Sequence, residues 1–446
     1  MASSSGDYQQ YVLACLKFAG GLAMSASVHA AGTDLIVGVG THFGQGRTDL
    51  DSFFSWVDSN TYTSLRDEMY WGDVEQEKGT FALGARSRRT LEAFKRAKAE
   101  GMQPLLILSY GNRYYEGGTQ PATTEGRTAF AKYAGWLANT TKREVSLFEV
   151  WNEWNIGSGN RPPARYGDPA NYVNLTRAAY QSIKQAHPNA VVLGGALGDD
   201  LPNWPWLRKA IDAGLLDTVD GISVHLYNYS APVSKAGAAE FVERLDLLNR
   251  LLKEKSKSRP IPIYVTEVGW PNDTTSRGVS LRDSAVQGQI FLLAAQAIAN
   301  LKGIWFYEFR DGGRDPADKE HHFGLTHMDG TDKPLACVIQ KTQLALKDTT
   351  LSWQSSVDGV TRQFYTKSNG QKILAVWANS RPFWAKHTEH SIAGLFPTVP
   401  TTIGSEDCVR DNNSTVLKSS KSMLTVQLTD APLVLQLQPD ASVPHP

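Results

Sequence analysis

Short apolar runs alternate with amphipathic stretches along the chain up to about residue 348. The runs are continuously apolar, as is typical of parallel strands that helices cover on the outside. They lie at 35–39, 64–69, 104–109, 147–151, 190–194, 221–225, 263–267 and 303–307, and the run at 64–69 is weak because its centre is charged. Helical spacing predicts helices at 89–100, 128–139, 171–187, 238–255 and 282–301. Eight strand–helix units predict a (β/α)8 barrel.

A doubly wound open sheet is the alternative arrangement of such units. Its first strand–helix turn would need three glycines spaced to hold a phosphate group. The segment after the first run, Gly38-Val39-Gly40-Thr41-His42-Phe43, lacks the third glycine. The barrel is therefore the preferred prediction.

The pattern changes after about residue 348. Short segments of alternating polarity at 361–367, 372–379, 422–428 and 433–437 are separated by turn-forming residues. They predict a C-terminal antiparallel β-sandwich. Since 446 residues are too many for one core of ordinary size, we expect a barrel domain at 31–348 and a sandwich domain at 349–440.

The first 30 residues are expected to be an export leader. The stretch 11–31 is largely apolar, is interrupted by Lys17, and ends in Val28-His29-Ala30-Ala31, which is similar to a signal-peptide cleavage site. The usual positive charge is missing, because Asp7 is the only charged residue before Lys17. We expect a periplasmic or secreted protein, and no later apolar run is long enough to span a membrane.

Composition excludes several classes of partner and leaves a cysteine question open. The chain has 45 basic and 45 acidic residues and a pI of about 7.2, so nothing indicates a nucleic-acid or polybasic membrane-binding surface.

Of its three cysteines, Cys337 and Cys408 could pair in an exported protein, but two unpaired buried thiols is the interpretation that we prefer. The 12 tryptophans and 16 tyrosines fit core packing, and weakly favour stacking on sugar rings.

Two segments end an apolar run in a glutamate. They are Phe148-Glu149-Val150-Trp151-Asn152-Glu153 and Ile263-Tyr264-Val265-Thr266-Glu267, the fourth and seventh predicted strands. In a barrel these strand ends lie on opposite sides of one mouth, so Glu153 and Glu267 can face each other. Either glutamate alone could be a helix cap or an ion-pair partner. Together they suggest a glycosidase pair, in which a separation of about 5 Å retains and about 6.5–9.5 Å inverts configuration.

These segments carry a family resemblance. Trp151-Asn152-Glu153-Trp154-Asn155 and Thr266-Glu267-Val268-Gly269-Trp270 resemble the strand-four and strand-seven motifs of the retaining clan A glycoside hydrolases. The segments 66–71 and 74–79 resemble the strand-two region of that group, and 307–313 with 323–325 resembles strand eight of glycoside hydrolase family 39 and nearby family 5 members. The trailing sandwich also fits family 39. The resemblance implies that Glu153 is the general acid/base and Glu267 the nucleophile, and that no cofactor is needed.

The resemblance also implies supporting residues. Asn152 would bond the sugar 2-hydroxyl, Arg66 would keep Glu267 ionised, and Tyr227 could donate to Glu267 or to substrate. Each of these could instead be buried polar scaffolding. His42 could be a core histidine and Asn112 a turn residue. The full set expected to bind substrate is His42, Arg66, Asn112, Asn152, His225, Tyr227, Trp270 and Tyr307.

Strand eight departs from the family pattern. Relatives carry Trp directly before Tyr-Glu, whereas this chain has Phe306 there and a tryptophan at Trp305. Alternation places Trp305 and Tyr307 on one face of the strand and Phe306 on the other. Which aromatic ring would form the sugar platform stays open at this level.

Other chemistries find less support. There is no G-x-S-x-G elbow, P-loop or zinc-helix motif. His321, His322, His327 and Asp329 could be imagined as metal ligands, but their Gly- and Asp-rich context favours a solvated loop, and we expect no metal.

The sequence therefore predicts a retaining glycoside hydrolase. We expect a monomer that acts on an extracytoplasmic polysaccharide or oligosaccharide, endo-acting on an exopolysaccharide of the kind found in biofilms. The alternative is a catalytically silent carbohydrate-binding or exopolysaccharide-assembly protein, and the presence of both glutamates argues against silence. The identity of the sugar stays open, because a fold does not set a substrate.

Overall fold

A computed structural model describes residues 35–57, 61–160, 167–198, 203–229, 237–379, 388–403, 408–409 and 414–445. Eight parallel strands close into a barrel in sequence order, with β1 paired to β8. The strands are β1 Ile36–Gly40, β2 Ser64–Tyr70, β3 Leu105–Ser109, β4 Leu147–Val150, β5 Val191–Leu197, β6 Gly221–Leu226, β7 Ile263–Val268 and β8 Leu301–Phe306. The barrel prediction is confirmed, and the closing β1–β8 pair excludes the open sheet. The predicted leader at 1–30 lies outside the described residues.

Nine α-helices lie within the described residues. They are α1 Leu50–Trp56, α2 Trp71–Val74, α3 Ala85–Ala99, α4 Thr124–Thr140, α5 Pro169–Ala186, α6 Pro205–Asp212, α7 Ala238–Lys255, α8 Leu281–Ala295 and α9 Pro334–Leu346. The predicted helix at 238–255 has these bounds, whereas the one at 282–301 ends six residues early. Asn300, at φ 61°, turns the backbone out of helical geometry, and Leu301 then begins β8.

Several helix starts are fixed by side-chain caps. The side chains of Asp49, Thr123, Asp168 and Ser280 each accept a hydrogen bond from a backbone N–H in the first turn of the helix that follows. Such caps satisfy one of the free N–H groups at a helix start and typically contribute about 1 kcal/mol. They set where the barrel helices α1, α4, α5 and α8 begin.

Apolar side chains fill the lower part of the barrel. Leu105, Leu147, Leu193, Tyr264 and Trp305 form a buried cluster on the inward faces of the strands. A Cβ at Gly38 would lie 2.3 Å from the Trp305 ring, so glycine makes room for the indole. This packed floor closes the barrel from below and leaves its polar residues at the carboxyl ends of the strands.

Residues from Thr349 onward form two antiparallel sheets. The five-stranded sheet has the order β13-β16-β11-β10-β9 and the three-stranded sheet the order β12-β15-β14. The strands are β9 Thr349–Val357, β10 Val360–Lys367, β11 Lys372–Ala378, β12 Thr388–Ala393, β13 Thr401–Thr402, β14 Thr415–Ser419, β15 Met423–Leu428 and β16 Leu433–Leu437. The predicted sandwich is confirmed. Its five-stranded sheet packs on α8 and α9 through Leu293, Leu346 and Tyr365.

The contacts that tie the sandwich to the barrel include an ion pair and a disulfide. Arg282 on α8 makes two hydrogen bonds to Asp430, at 2.5 and 2.7 Å. Cys337 on α9 forms a disulfide with Cys408, so the preference for two unpaired thiols was wrong. Sequence spacing gave no sign that the fold brings the two Cα atoms to 5.6 Å, within disulfide reach.

Removing the disulfide should destabilise the protein. The bridge closes a loop with a sequence separation of 71 residues, and loop-closure entropy of that size corresponds to about 4 kcal/mol in the free energy of unfolding. We expect the Cys337→Ser/Cys408→Ser variant to unfold at lower denaturant concentration than the wild type. A reductant should lower the wild-type midpoint and leave that of the variant unchanged. Equal midpoints for both proteins without reductant would contradict the bridge.

A membrane-spanning helix must be both long and apolar. No helix in the described part of the chain is both long and apolar enough to cross a bilayer.

Candidate active site

A cavity of about 530 Å³ opens at the carboxyl end of the barrel strands. Glu153, just after β4, and Glu267, near the end of β7, both line it. Trp151 and Glu153 have positive φ angles of 67° and 49°, which non-glycine residues seldom adopt. Backbone strain of this kind is concentrated at functional sites. The chain after β4 is thus bent in a way that brings Glu153 to the cavity.

The two carboxylates are close together. One oxygen of Glu153 and one of Glu267 lie within 4.8 Å of each other. Their side chains are 20% and 11% exposed, so both are reachable from the cavity. This spacing fits the shorter of the two glycosidase geometries, because an inverting pair is about 6.5–9.5 Å apart and holds a water in between.

Arg66 on β2 holds Glu267 in place. Its Nη1 donates to Glu267 Oε1 at 2.7 Å, and its Nη2 donates to Asn152 Oδ1 at 2.8 Å. The side chain of Arg66 is 4% exposed. Burial alone would lower the pKa of Arg66, but Glu149 and Glu267 raise it above its usual range, so the guanidinium stays charged. The structure thus brings Arg66 and Asn152 together beside Glu267, and the sugar contact of Asn152 stays a prediction.

His225 and Tyr227, both from the β6 end, contact the carboxylates directly. The Tyr227 hydroxyl donates to Glu267 Oε2 at 2.6 Å. His225 Nδ1 lies 3.0 Å from Glu153 Oε1 and 3.4 Å from Glu267 Oε2, so the ring bridges the pair. Burial lowers the pKa of His225, but Glu267 and Glu153 outweigh it and raise the pKa above its ordinary value.

The contact with His225 has a consequence for Glu153. Burial raises the pKa of Glu153, but hydrogen bonds with His225 and Ser158, and the nearby charge of Arg66, together lower it below its ordinary value. A general acid needs the opposite direction, a pKa raised above its ordinary value. In the free protein Glu153 is therefore ionised at neutral pH, and a bound sugar must change its surroundings before it can donate a proton.

Four charged residues that sequence reasoning largely missed form a cluster at one side of the cavity. His42, Arg47 and Glu68 line the cavity, and the buried Glu308 contacts His42 and Arg47 from behind. We call these four residues the charged wall. His42 Nε2 lies 3.1 Å from Glu308 Oε2, and Arg47 donates to Glu308 Oε1 at 2.9 Å. Only His42 was predicted. Glu68 could have been found, because two-residue alternation places it on the same strand face as Arg66.

His42 and Glu68 of the charged wall form an ionised pair at neutral pH. Burial lowers the pKa of His42, but hydrogen bonds to Glu308 and Glu68 raise it to about 10. Burial raises the pKa of Glu68, but His42, Tyr70 and Gln45 bring it down to about 2. The His42 ring is therefore a cation that lies between Glu68 and Glu308.

Aromatic rings line the rest of the cavity. Tyr307 and Phe323 pack edge to face at 5.4 Å beside Tyr227 and Tyr229. Tyr110 lies on another side and accepts a hydrogen bond from Asn152 at 3.1 Å. The open question on strand eight is answered by packing. Tyr307 reaches the cavity, whereas Trp305 lies in the barrel floor and donates to Ser64 Oγ at 2.8 Å.

Two predicted substrate-binding residues lie elsewhere. Asn112 is 1% exposed and bonds the backbone of its own loop and of Glu75, so it has the turn role that was the alternative. Trp270 is 2% exposed and packs on Phe241 of α7 at 5.4 Å, within the helical layer. The placement of both was wrong. The residues next to Asn112 and Trp270 turn the chain away from the barrel mouth after the strand ends. No local sequence pattern indicates this turn.

The histidine-rich loop does not converge on a metal site. His321 lies beside Asp318, His322 contacts the backbone of Asp315, and His327 lies 3.5 Å from Asp311. Among the described residues, the only group with metal-ligand spacing is Glu153, His225 and Glu267. Arg66 already neutralises Glu267 there, so these residues fit an acid–nucleophile pair better than a cation site.

The sequence matches no family model and no curated protein. Solved structures do resemble it. A family 39 glycoside hydrolase from the gut symbiont Bacteroides cellulosilyticus has a TM-score of 0.74 at 21% identity, over 91% of this chain and 81% of that chain. The chain has the fold of these glycoside hydrolases.

Two further solved structures have a similar fold. A family 30 endoxylanase from Clostridium papyrosolvens has a TM-score of 0.62 at 14% identity, over 92% of this chain and 98% of that chain. A monomeric β-xylosidase from Caulobacter crescentus has a TM-score of 0.59 at 14% identity, over 92% of this chain and 97% of that chain. These matches span both the barrel and the sandwich, so the two-part architecture is shared.

Proposed function

We propose that the protein is a retaining glycoside hydrolase that cleaves O-glycosidic bonds. The observation that carries this proposal is the pair of carboxylates, Glu153 and Glu267, within 4.8 Å of each other in the cavity at the barrel mouth. The spacing leaves room for an anomeric carbon between them but not for the extra water of an inverting reaction. The similar fold of family 39, 30 and 5 glycoside hydrolases supports the same class of reaction.

The reaction proceeds in two displacements. Glu267 attacks the anomeric carbon while the bond to the leaving oxygen breaks, and Glu153 transfers its proton to that oxygen. Glu153, now ionised, then takes a proton from water as the water attacks the same carbon and releases Glu267. Arg66 and Tyr227 hold Glu267 in the direction of attack through bonds of 2.7 and 2.6 Å. No cofactor takes part in these steps.

The charged wall supports a substrate rich in hydroxyl groups. The ring nitrogens of His42 face Glu308 on one side, and Gln45 and Glu68 on the other. Glu68 Oε2 accepts no hydrogen bond from the described residues, although Glu68 is 6% exposed and lines the cavity. The wall therefore offers an acceptor oxygen to a ligand, which suits a sugar hydroxyl.

We further infer that the substrate is an extracytoplasmic polysaccharide or oligosaccharide, and that the enzyme is endo-acting on an exopolysaccharide. The disulfide between Cys337 and Cys408 supports an oxidising compartment. The apolar stretch at 11–31, with its small-residue end, supports export. The protein is expected to act as a monomer.

Replacing His225 should move the pH dependence of the reaction. Because His225 contributes to the lowered pKa of Glu153, the His225→Ala variant should have a Glu153 of higher pKa. The alkaline limb of kcat/KM, which reports loss of the acid's proton in the free enzyme, should shift to higher pH. Ser158→Ala removes a weaker bond to the same carboxylate, at 3.2 Å, and should shift the limb in the same direction by less. A limb that stays in place in both variants would contradict this role of His225.

A substrate screen tests the proposed function. Purified wild type and the Glu153→Gln/Glu267→Gln variant are incubated with neutral and acidic polysaccharides and with aryl glycosides. Cleavage by wild type alone, with the product anomer first formed matching that of the substrate by NMR, is the expected result. Product lengths distinguish endo from exo action. Glycan binding by both proteins without cleavage would favour the carbohydrate-binding alternative, and initial inversion would contradict the two-displacement mechanism.

A further inference from the structure

Glu149 on β4 is a buried carboxylate that the two-glutamate reaction does not use. Its residue is 0% exposed. Two-residue alternation places it on the inward face of β4 with Leu147, which belongs to the apolar floor of the barrel. Phe148 and Val150, on the other face, pack in the core between strands and helices. An ionised carboxylate in such a place costs several kcal/mol unless it is paired, so its partner matters.

That partner is Arg66. Arg66 Nε and Nη2 lie 2.8 and 2.7 Å from the same oxygen, Glu149 Oε2. The other oxygen, Oε1, is buried and has no hydrogen-bond partner among the described residues. The carboxylate is thus held through one oxygen by one edge of the guanidinium, and its remaining oxygen serves no structural bond.

Arg66 is shared between two carboxylates. The edge that binds Glu149 leaves Nη1 directed at Glu267 Oε1, at 2.7 Å. A guanidinium is planar, so fixing its Nε edge fixes the direction of Nη1. One positive charge also serves two negative ones, which leaves Glu267 less completely neutralised than it would be in a pair of its own. Both effects matter for a nucleophile, because its carboxylate must be correctly oriented and must keep its electron density.

We propose that Glu149 is a positioning residue for Glu267 that acts through Arg66. It sets the orientation of the guanidinium and draws part of its charge away from the nucleophile. The inference rests on the proposed glycosidase function and adds a third carboxylate to it.

The other groups around Glu267 do not duplicate this role. The titratable and charged side chains that face it are Arg66 from β2, Tyr110 after β3, Glu153 after β4, His225 and Tyr227 from β6, and Tyr307 after β8. Of these, only Arg66 has a hydrogen bond to Glu149 among the described residues. A change at Glu149 therefore reaches Glu267 through Arg66.

The test is Glu149→Gln, which removes the charge and keeps the shape and one acceptor oxygen. The full positive charge of Arg66 then falls on Glu267, making it a weaker nucleophile and a better leaving group. We expect kcat/KM, which reports attack by Glu267, to fall by up to about 100-fold. We expect its acid limb to shift to lower pH, because the charge of Arg66 is then no longer shared with a second carboxylate. The same variant is measured with the aryl glycoside that wild type cleaves fastest. Where release of Glu267 limits kcat on that substrate, kcat should not fall.

Two variants separate this role from a structural one. Glu75→Gln is a matched control, because Glu75 is also buried, at 1% exposure, and binds Trp71 and Tyr115 away from the cavity. It should lower thermal stability while leaving the acid limb and the ratio of kcat to KM unchanged. Glu149→Asp keeps the charge and shortens the reach, so it should lower kcat/KM while the acid limb stays near that of wild type.

Several outcomes would overturn the proposal. One is a folded Glu149→Gln protein whose acid limb does not move and whose kcat and kcat/KM fall equally. If Glu149→Gln does not fold, a shifted acid limb in Glu149→Asp would also overturn the proposal, because Glu149→Asp keeps the charge. A wild type inactive on every glycoside of the screen is a different result, because it removes the proposed function and this inference with it.

Discussion

The Glu267→Ala variant should lose turnover of every glycoside, including activated aryl glycosides. Glu267 is the carboxylate that Arg66 and Tyr227 hold at 2.7 and 2.6 Å, and in the proposed reaction it forms the covalent intermediate. We expect kcat to fall by about 10⁴-fold or more, the scale of losses when a covalent nucleophile is deleted. Initial rates on an aryl glycoside measure the effect.

A control and a rescue sharpen this prediction. Glu243→Ala changes an exposed glutamate on α7 and should leave kcat unchanged. Azide, entering the space that the side chain leaves, should restore activity of Glu267→Ala on an activated glycoside and give a glycosyl azide of inverted configuration. Rescue with retained configuration, or residual activity near that of wild type, would remove Glu267 from the nucleophile's role.

The Glu153→Ala variant should distinguish substrates by their leaving groups. General acid catalysis contributes about 10²–10⁴-fold, and only a poor leaving group needs the proton. We therefore expect kcat/KM on a natural polysaccharide or alkyl glycoside to fall by that factor. On a dinitrophenyl glycoside, kcat/KM should change little, because its leaving group departs without a proton.

The second displacement offers an independent check on Glu153. Without its general base, the covalent intermediate should accumulate on the dinitrophenyl glycoside and give a burst of product followed by a slow steady rate. Azide, which needs no base, should raise that steady rate and give a glycosyl azide of retained configuration. Equal losses of kcat/KM on good and poor leaving groups would contradict the acid/base assignment.

Local pattern predicted most of the barrel, and its failures have physical causes. The seven apolar runs and the helix at 238–255 were readable because covered parallel strands and amphipathic helices have distinct spacing. The weak run at 64–69 is a full strand, Ser64–Tyr70, because its inward charges are paired across the barrel. The helix at Leu50–Trp56 and the strand at Thr349–Val357 were missed, since short or half-exposed elements leave a weak pattern.

Some residues of the candidate site could likewise be identified from the sequence, and others could not. Glu153 and Glu267 could be singled out because each follows an apolar strand and carries a motif of adjacent residues. Trp270 and Asn112 also follow strands, yet both turn into the protein, because the direction of a side chain after a strand end depends on the loop that follows. Glu308 belonged to the strand-eight resemblance but was not named as a site residue, since its partners His42 and Arg47 lie more than two hundred residues earlier.

The sequence by itself determined the order of the elements, the two-part architecture and the identity of two carboxylates at strand ends. These features depend on periodicity and adjacent residues, which a chain displays before it folds. The approach of the two carboxylates to within 4.8 Å, the sharing of Arg66 between Glu149 and Glu267, the charged wall and the disulfide appear only in the folded protein. Each of these joins residues far apart along the chain, and barrel closure and domain packing alone set the distances between them.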